Sequence, residues 1–271
     1  MTWRKTRFPH PDAALAEADG LRWLAQVPDG ARVARVHDVG PGVLELESIR
    51  SGTTTAAAAR AFGAALARTH AARADFFGQV PGSTGGFMAQ APMPGPSAPN
   101  HAPLTALTWG EFYATARVLP FLRTAVGQGS ITPDGAATVE AVAARLVAGD
   151  LEHDQPAGVR ERTAQGRPAV ARLHGDLWNG NVLWDADAGG EAVLIDATAH
   201  GGHAETDLAM LDLFGQPHLR EILEGYQEVS PLADGWPDRI ALHQLNPLLV
   251  HTVLFGSSYA DAAVGAAAAY V

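Results

Sequence analysis

Residues 171–196 read ARLHGDLWNGNVLWDADAGGEAVLID, and no other stretch constrains the fold as tightly. Two short apolar runs, Asn181 to Trp184 and Ala192 to Ile195, flank the turn sequence DADAGG and predict a β-hairpin. Three polar groups stand at its open end: Asp176 and Asn181 before the first strand, and Asp196 after the second. Antiparallel pairing makes Asn181 and Asp196 neighbours, which sets two oxygen ligands side by side for a hard cation such as Mg²⁺. Asp176, on the loop before Asn181, reaches the same pocket from beside it.

Composition removes most competing chemistry. The 271 residues contain no cysteine, so disulfides, thiolate zinc sites, Cys-ligated iron–sulfur clusters and cysteine nucleophiles are excluded. Lys5 is the only lysine. A P-loop of the form GxxxxGK[ST] is therefore absent, and a pyridoxal Schiff base would have to form at the start of the chain. No GxSxG hydrolase elbow occurs. With 19 Lys and Arg against 29 Asp and Glu, the formal charge is −10, which argues against a nucleic-acid partner. An acidic protein acting on an anion also needs a cation between them. The N-terminal MTWRKTRFPHPD lacks a signal-peptide core. The apolar stretch from Leu245 to Val271 is interrupted by Asn246, Pro247, His251 and Asp261. Buried helices are expected there, with no membrane span and a cytoplasmic location.

Along the chain, Trp3 to Phe8 reads as a strand and ALAEADGLRWLAQV as a helix with Leu15, Leu21 and Leu24 on one face. Gly20 costs that helix about 1 kcal/mol relative to Ala, which implies a packing reason. Ala31 to Asp38 and Gly42 to Ile49 read as two strands around a Gly40-Pro41-Gly42 turn. From Thr53 the pattern turns helical, with an N-cap among the threonines and Phe62, Leu66 and His70 at four-residue spacing. Gly78 to Pro103 is Gly/Pro-rich and is expected to be a long ordered loop or flap. Helices are predicted again at Trp109 to Ala125 and Pro133 to Val147.

The block His174-Gly175-Asp176-Leu177, followed by Asn181 and then Asp196, matches the kinase pattern H-R-D-L-x-x-x-N with its later metal-binding aspartate. Phosphoryl transfer needs these types: one carboxylate takes the proton of the attacking hydroxyl, while an amide and a second carboxylate hold metal against the nucleotide phosphates. The metal then bridges acidic protein and anionic nucleotide. In a kinase fold a strand lysine contacts the phosphates and pairs with a glutamate on the next helix. Lys5 and Glu17 stand in that order, with Glu45 and Glu47 as further acids off the helix.

The chain resembles the fructosamine kinase (ketosamine-3-kinase) family of the protein-kinase-like and aminoglycoside-phosphotransferase-like superfamily. The resemblance runs nearly end to end, through AEADGLRWL, LELESI, FGAALARTHAARADFFG, WGEFYATARVLPFL, HGDLWNGNVLW, LIDATAHGGHAETDLAMLDLFG and HQLNPLLVHTVLFGSSY. It implies an α+β two-lobe fold: a small β-rich N-lobe over residues 1–49 and a mainly helical C-lobe over 50–271. It also implies ATP- and Mg²⁺-dependent phosphorylation of a ketosamine sugar hydroxyl, on a free or protein-bound fructosamine or ribulosamine, in the manner of deglycation repair. By resemblance Asp176 is the base, Asn181 and Asp196 are the Mg²⁺ ligands, and Lys5 and Glu17 form the phosphate pair. Leu46, Glu47, Ser48 and Ile49 form the adenine hinge. Trp178 either stacks on substrate or is a core tryptophan. Alternatives are a sister kinase of the aminoglycoside or choline type, or a catalytically weak nucleotide- or sugar-binding module. Oligomeric state is left open.

Three departures stand out. Asp196-Ala197 replaces the family's common D-P, which keeps the ligand and loosens the turn. Ala204 replaces an Arg between His203 and Glu205, removing any ion pair that Arg made. His203, Glu205 and Asp207, alongside His200, suggest either a metal cluster or helix-start and structural roles, and the latter are expected, since carboxylates are stabilised at a helix N-terminus. Finally, the chain begins almost at the phosphate lysine, so the family's first two strands and Gly-rich turn are expected to be missing.

Overall fold

The computed structural model describes residues 2–8, 10–82, 85–88, 91–93 and 107–271. Three antiparallel strands, β1 (Thr2–Lys5), β2 (Val36–Gly40) and β3 (Val43–Glu47), form a sheet in the order β1-β3-β2. β1 is shorter than the predicted Trp3 to Phe8. Lys5 pairs with Leu44, and just beyond it β3 runs out at the Gly40-Pro41-Gly42 turn, so the chain has no partner strand to follow. Leu44 and Leu46 alternate onto the inner face and are buried. Helix α1 (Ala13–Leu24) packs there through Ala14, Ala18, Leu21 and Leu24, with Leu15 only half-buried. Gly20 has its packing reason: a Cβ would come within 3.2 Å of the Ala199 Cβ.

The strand expected from Ala31 begins only at Val36, because residues 32–35 bond elsewhere. The Ala34 N–H donates to the Leu194 carbonyl (2.9 Å), the Leu194 N–H to the Arg32 carbonyl (2.9 Å) and the Glu47 N–H to the Arg35 carbonyl (2.8 Å). This segment stitches the sheet to the downstream hairpin. A single apolar core follows the stitch and joins Leu21, Leu44, Leu46, Leu66, Trp184 and Leu194.

Helix α2 (Ala56–Ala71) starts at Thr55, whose hydroxyl accepts from the Ala58 N–H, and it buries Phe62, Leu66 and His70 as the spacing predicts. It crosses α8 (Leu219–Val229) at backbone contact. A Cβ on Gly63 would overlap the Ile222 carbonyl, and one on Gly225 the Arg60 carbonyl. Within the Gly/Pro-rich stretch expected to be a loop, Gly86–Met88 and Ala91–Met93 pair as two short strands, β4 and β5. Its residues 83–84, 89–90 and 94–103 lie outside the described ones.

The helix predicted over Trp109 to Ala125 is present but interrupted. α3 (Trp109–Phe112) and α4 (Leu119–Gly127) are separated by a π-helical stretch, Tyr113–Val118. Pro120 supplies the cause, since it has no N–H for the Ala116 carbonyl. The Arg117 guanidinium donates to that carbonyl instead (3.1 Å). The same device recurs where Pro247 interrupts α9 (Ile240–Phe255): the Tyr113 hydroxyl donates to the His243 carbonyl (3.1 Å). Helices α5 (Pro133–Ala148), α6 (Ala157–Glu161), α7 (Ala204–Leu213) and α10 (Ala260–Ala268) complete the helical part. Two small antiparallel pairs, β6 (Ala171–Leu173) with β9 (His200–Gly202) and β7 (Val182–Asp185) with β8 (Glu191–Leu194), lie between α6 and α7 in sequence. Among the described residues no helix is long and apolar enough to cross a membrane.

Candidate active site

The predicted hairpin forms as β7 and β8. Asn181 itself lies in a 3-10 turn rather than in the strand, because its N–H bonds the Trp178 carbonyl (2.9 Å). The open end still closes: the Ile195 N–H donates to the Asn181 carbonyl (3.1 Å). The Asn181 amide donates to Asp176 Oδ2 (3.0 Å) and to the Asp176 carbonyl (2.8 Å). That leaves its Oδ1 as the atom available to a cation.

Lys5 and Glu17 meet as the order in sequence suggested. The ammonium donates to Glu17 Oε2 (2.7 Å) and lies 3.0 Å from Asp196 Oδ1. Burial pulls Lys5 down, but the carboxylates of Glu17 and Asp196 outweigh it and hold the ammonium above its usual range. Burial pushes Glu17 up to about 7 against the pull of Lys5, and Asp196 pushes further, since two carboxylates share one cation. Asp196 adopts φ +54°, a left-handed conformation that costs a non-glycine residue on the order of 1 kcal/mol. Its buried Oδ1 accepts no hydrogen bond and has only the ion contact with Lys5. A carboxylate oxygen whose one contact is the Lys5 ammonium, and an amide oxygen that accepts no hydrogen bond among the described residues, are oxygen donors of the kind Mg²⁺ takes, so these residues fit that ion.

Asp176 is raised to about 7, first by burial and then by the charges of Asp196 and Asp207, with Asn181 pulling the other way. Its loop is held from behind. His174 Nε2 donates to the Ile195 carbonyl (2.9 Å) and its Nδ1 accepts the Asp176 N–H (3.3 Å), which fixes a neutral tautomer. Asp207 accepts the His174 N–H (2.7 Å), the Gly175 N–H (2.9 Å) and His70 Nε2 (3.2 Å). Burial alone would raise Asp207, but these donors carry it below the usual carboxylate range.

Three cavities meet at these acids. One, between Lys5, Glu17, Asp176 and Asp196, is walled by Val80, Pro81 and Phe87. A second is lined by Trp3, Leu46, Glu47, Ser48, Ile49, Leu183 and Ile195, and shares Asp196 with the first. The third lies under α7 and α9, between Asp176, Met210, Asn246, Pro247 and His251. In the second cavity the Glu47 carboxylate is turned to Arg32 (2.6 Å) and the Arg35 N–H (3.2 Å). Ser48 and Ile49 make no hydrogen bond to other described residues. Trp178 lines none of the three. It is 38% exposed, which excludes the core reading, and its ring lies over Gly180 and edge-on to Phe214 (5.9 Å). Phe214 in turn meets His251 (4.9 Å) at the third cavity.

The sequence offers the Gly78–Pro103 loop as a shield for the site without requiring it; Val80, Pro81 and Phe87 are the residues that wall the cavity. Sequence reasoning missed Arg32, which clamps Glu47, Asp185 (3.0 Å) and Glu191 (2.9 Å) and so ties β3 to the hairpin. Glu205, next to the substituted Ala204, is paired with Arg239 (2.6 and 2.9 Å). His203 caps α7 by accepting the Glu205 N–H (3.2 Å), the helix-start role expected of it.

Residues 12–270 match the family model for fructosamine kinase. A probable ketoamine kinase of Thermus thermophilus is 30% identical, with 96% of this chain and 86% of that protein aligned. One from Enterococcus faecium is 46% identical over 87 residues, and there the match spans only 30% of the relative's length. A crystal structure of a putative fructosamine-3-kinase from Thermobifida fusca is 41% identical, with a TM-score of 0.80 over 96% of this chain and 80% of that one. A choline/ethanolamine kinase family protein from Mesorhizobium loti, 17% identical with a TM-score of 0.58, shares the two-lobe kinase-like fold. By sequence match, fold and motif, the chain belongs to the fructosamine kinase family, phosphotransferases that act on a sugar hydroxyl.

Proposed function

We propose that the chain transfers the γ-phosphoryl group of ATP to a ring or chain hydroxyl of a ketosamine, a fructosamine or ribulosamine that is free or protein-bound. The observation that carries this reading is the position of Asp176, shared between the cavity of Lys5 and Asp196 and the cavity under α9. A nucleotide in the Leu46–Ile49 slot points its phosphates toward Lys5, and an acceptor under α9 brings its hydroxyl to the other side of Asp176. Asp176 takes the hydroxyl proton as the oxygen bonds to phosphorus, the bond to the β-phosphate oxygen breaks, and ADP leaves. Lys5, oriented by Glu17, sets its charge against the phosphates. Asn181 keeps the Asp176 carboxylate aimed and offers Oδ1, with Asp196, to Mg²⁺. When bound, Mg²⁺ neutralises charge on the phosphate oxygens. Trp178, at the rim beside Phe214, packs on the amine-bearing part of the acceptor.

The test is incubation with Mg-ATP and a fructosyl-amine, with the sugar phosphate followed by phosphorus NMR. Product on the ketosamine alone supports the reading. Turnover confined to aminoglycosides or choline moves the chain's activity to a sister kinase, and thermal stabilisation by ATP without transfer reduces it to a binding module.

A further inference from the structure

A second constellation lies apart from the three cavities. His153 in the segment before α6, His203 and Glu205 at the start of α7, and His243 near the start of α9 bring ligand atoms within 4.8 Å of one another. His153 Nε2 is 3.0 Å from His243 Nε2, and Glu205 Oε2 is 3.4 Å from the latter and 3.6 Å from the former. Those are close to the edges of a tetrahedron around an ion bonded at 2.0–2.1 Å, roughly 3.4 Å.

Proton placement sharpens the case. His153 Nδ1 faces the Leu151 carbonyl (2.8 Å), which only accepts, so the ring proton sits there and Nε2 presents a lone pair. His243 Nδ1 faces the Thr206 hydroxyl (2.9 Å), and when it donates there its Nε2 presents a lone pair as well. Two imidazole lone pairs and a carboxylate oxygen then converge, with the Arg239 guanidinium, whose Nε donates to the same Glu205 Oε2 (2.9 Å), as their positive neighbour. His203 is 1% exposed and its Nε2 has no hydrogen-bond partner; because its Nδ1 accepts the Glu205 N–H (3.2 Å), the neutral ring carries its proton on Nε2, and ligation through that atom moves the proton to Nδ1 and gives up the cap bond. Trp109 covers the group, with ring centroids 4.5 Å from His153, 4.9 Å from His243 and 5.5 Å from His203.

We propose that His153, His203, Glu205 and His243 bind one Zn²⁺ ion as a structural site. Three imidazoles and one carboxylate suit zinc, whereas Mg²⁺ and Ca²⁺ prefer oxygen donors throughout. The outer partners are of the kind metal sites use: Leu151 and Thr206 orient two rings, and Arg239 holds Glu205 through both oxygens. The site joins the first turn of α7, which carries Asp207, to α9, which lines the acceptor cavity. Zinc would therefore brace the two helices against which the catalytic loop and the acceptor rest.

The test uses full-length, tag-free protein expressed with zinc, because the cluster is buried and fills as the chain folds. Elemental analysis is expected to give one zinc per chain. Protein refolded with Co²⁺ is expected to show the intense visible bands of four-coordinate cobalt. His243→Gln and His153→Gln should each lose the bands and a zinc-dependent rise in Tm of several degrees, while Mg²⁺ gives neither signal in any variant. If those variants fail to fold, the wild-type metal content and cobalt spectrum decide alone. Less than a tenth of an equivalent of zinc, with no cobalt bands, overturns the proposal. Nitrogen NMR placing a proton on His243 Nε2 in zinc-grown protein also overturns it, since the two rings then share a hydrogen bond where the metal was placed.

Discussion

Asp176 and Asp207 approach one catalytic loop from opposite sides, and their surroundings push them in opposite directions. Asp207 is fully buried but meets two backbone N–H groups and His70, and it is held below the usual carboxylate range. Asp176 meets one amide, faces the charge of Asp196, and is raised to about 7. The first acid is satisfied and its charge is fixed, which suits a strut. The second is left short of donors and is raised to about 7, which suits the base proposed for it. The same contrast separates Glu205, paired with Arg239 through both oxygens, from Glu17, whose Oε1 is buried without a partner.

The contrast is tested most severely at Asp176. Asp176→Asn is expected to lower kcat by about 10³-fold or more, measured as sugar phosphate formed per minute, and to leave the fold intact. Its stability should move the other way. A carboxyl raised in the folded state favours folding below its unfolded pKa, and that contribution is lost as pH climbs through about 7. The variant should therefore melt above wild type at pH 8, and the gap should narrow as pH falls below 7 and close below about 4, the ordinary range of the carboxyl. In wild type, kcat/KM should rise about tenfold per pH unit below 7 and level off above it. A variant less stable than wild type at pH 8 would break the assignment of Asp176 as the strained member of the pair.

Asp207→Asn is the mirror experiment. Removing the charge leaves three donors facing an amide and is expected to destabilise by about 2–4 kcal/mol near neutral pH. Asp207 is lowered in the folded state, so its contribution is present above the unfolded pKa and fades as pH falls through the folded one. Urea midpoints of wild type and variant should therefore differ at pH 7 and draw together as pH falls below the ordinary carboxylate range. A neutral effect at pH 7 would mean that the strut reading is wrong.

These two acids also mark what the sequence disclosed. Asp176, Asn181 and Asp196 were legible because hairpin closure is local: the strands that bring them together are a few residues long and the turn is written between them. Lys5 and Glu17 were legible because a strand followed by a helix leaves few ways to pair, and there is one lysine. The role of Asp207 was readable only as structural, since the N–H groups it accepts lie 32 and 33 positions earlier. Arg32 gave no signal at all, because its partners Asp185 and Glu191 are more than 150 positions away. The strand expected from Ala31 failed for a related reason: a tertiary partner, Leu194, outbid local alternation for the backbone of residues 32–34. The π-helical stretch is the exception, since Pro120 stands in plain view and its missing donor is what widens the turn before it.

Lys5 sharpens the comparison from the nucleotide side. Lys5→Met keeps the length of the side chain and removes the charge, leaving Glu17 and Asp196 to face each other. The expected loss is about 10²-fold in kcat/KM for ATP, with KM for the ketosamine within a factor of two of wild type. Double replacement with Glu17→Gln relieves the repulsion and should recover stability but not activity. Recovered activity would show that Lys5 serves only to neutralise Glu17.

The smallest effect is expected at Trp178, and it tests whether the rim belongs to the acceptor. The indole is 38% exposed, touches Phe214 at its edge and shields Gly180, so no core depends on it. Trp178→Ala should therefore change Tm by only a degree or two. If the ring packs on the amine-bearing part of the acceptor, its loss removes on the order of 1 kcal/mol of contact, roughly a five- to tenfold rise in KM for a fructosyl-amine with kcat nearly constant. Trp178→Phe should restore most of that loss, because the aromatic face is kept. Trp178 lines neither the cavity of Lys5 nor the Leu46–Ile49 slot, so KM for ATP should stay at the wild-type value in both variants. A rise in KM for ATP that matched the rise for the ketosamine would place Trp178 with the struts of the catalytic loop and not with its substrates.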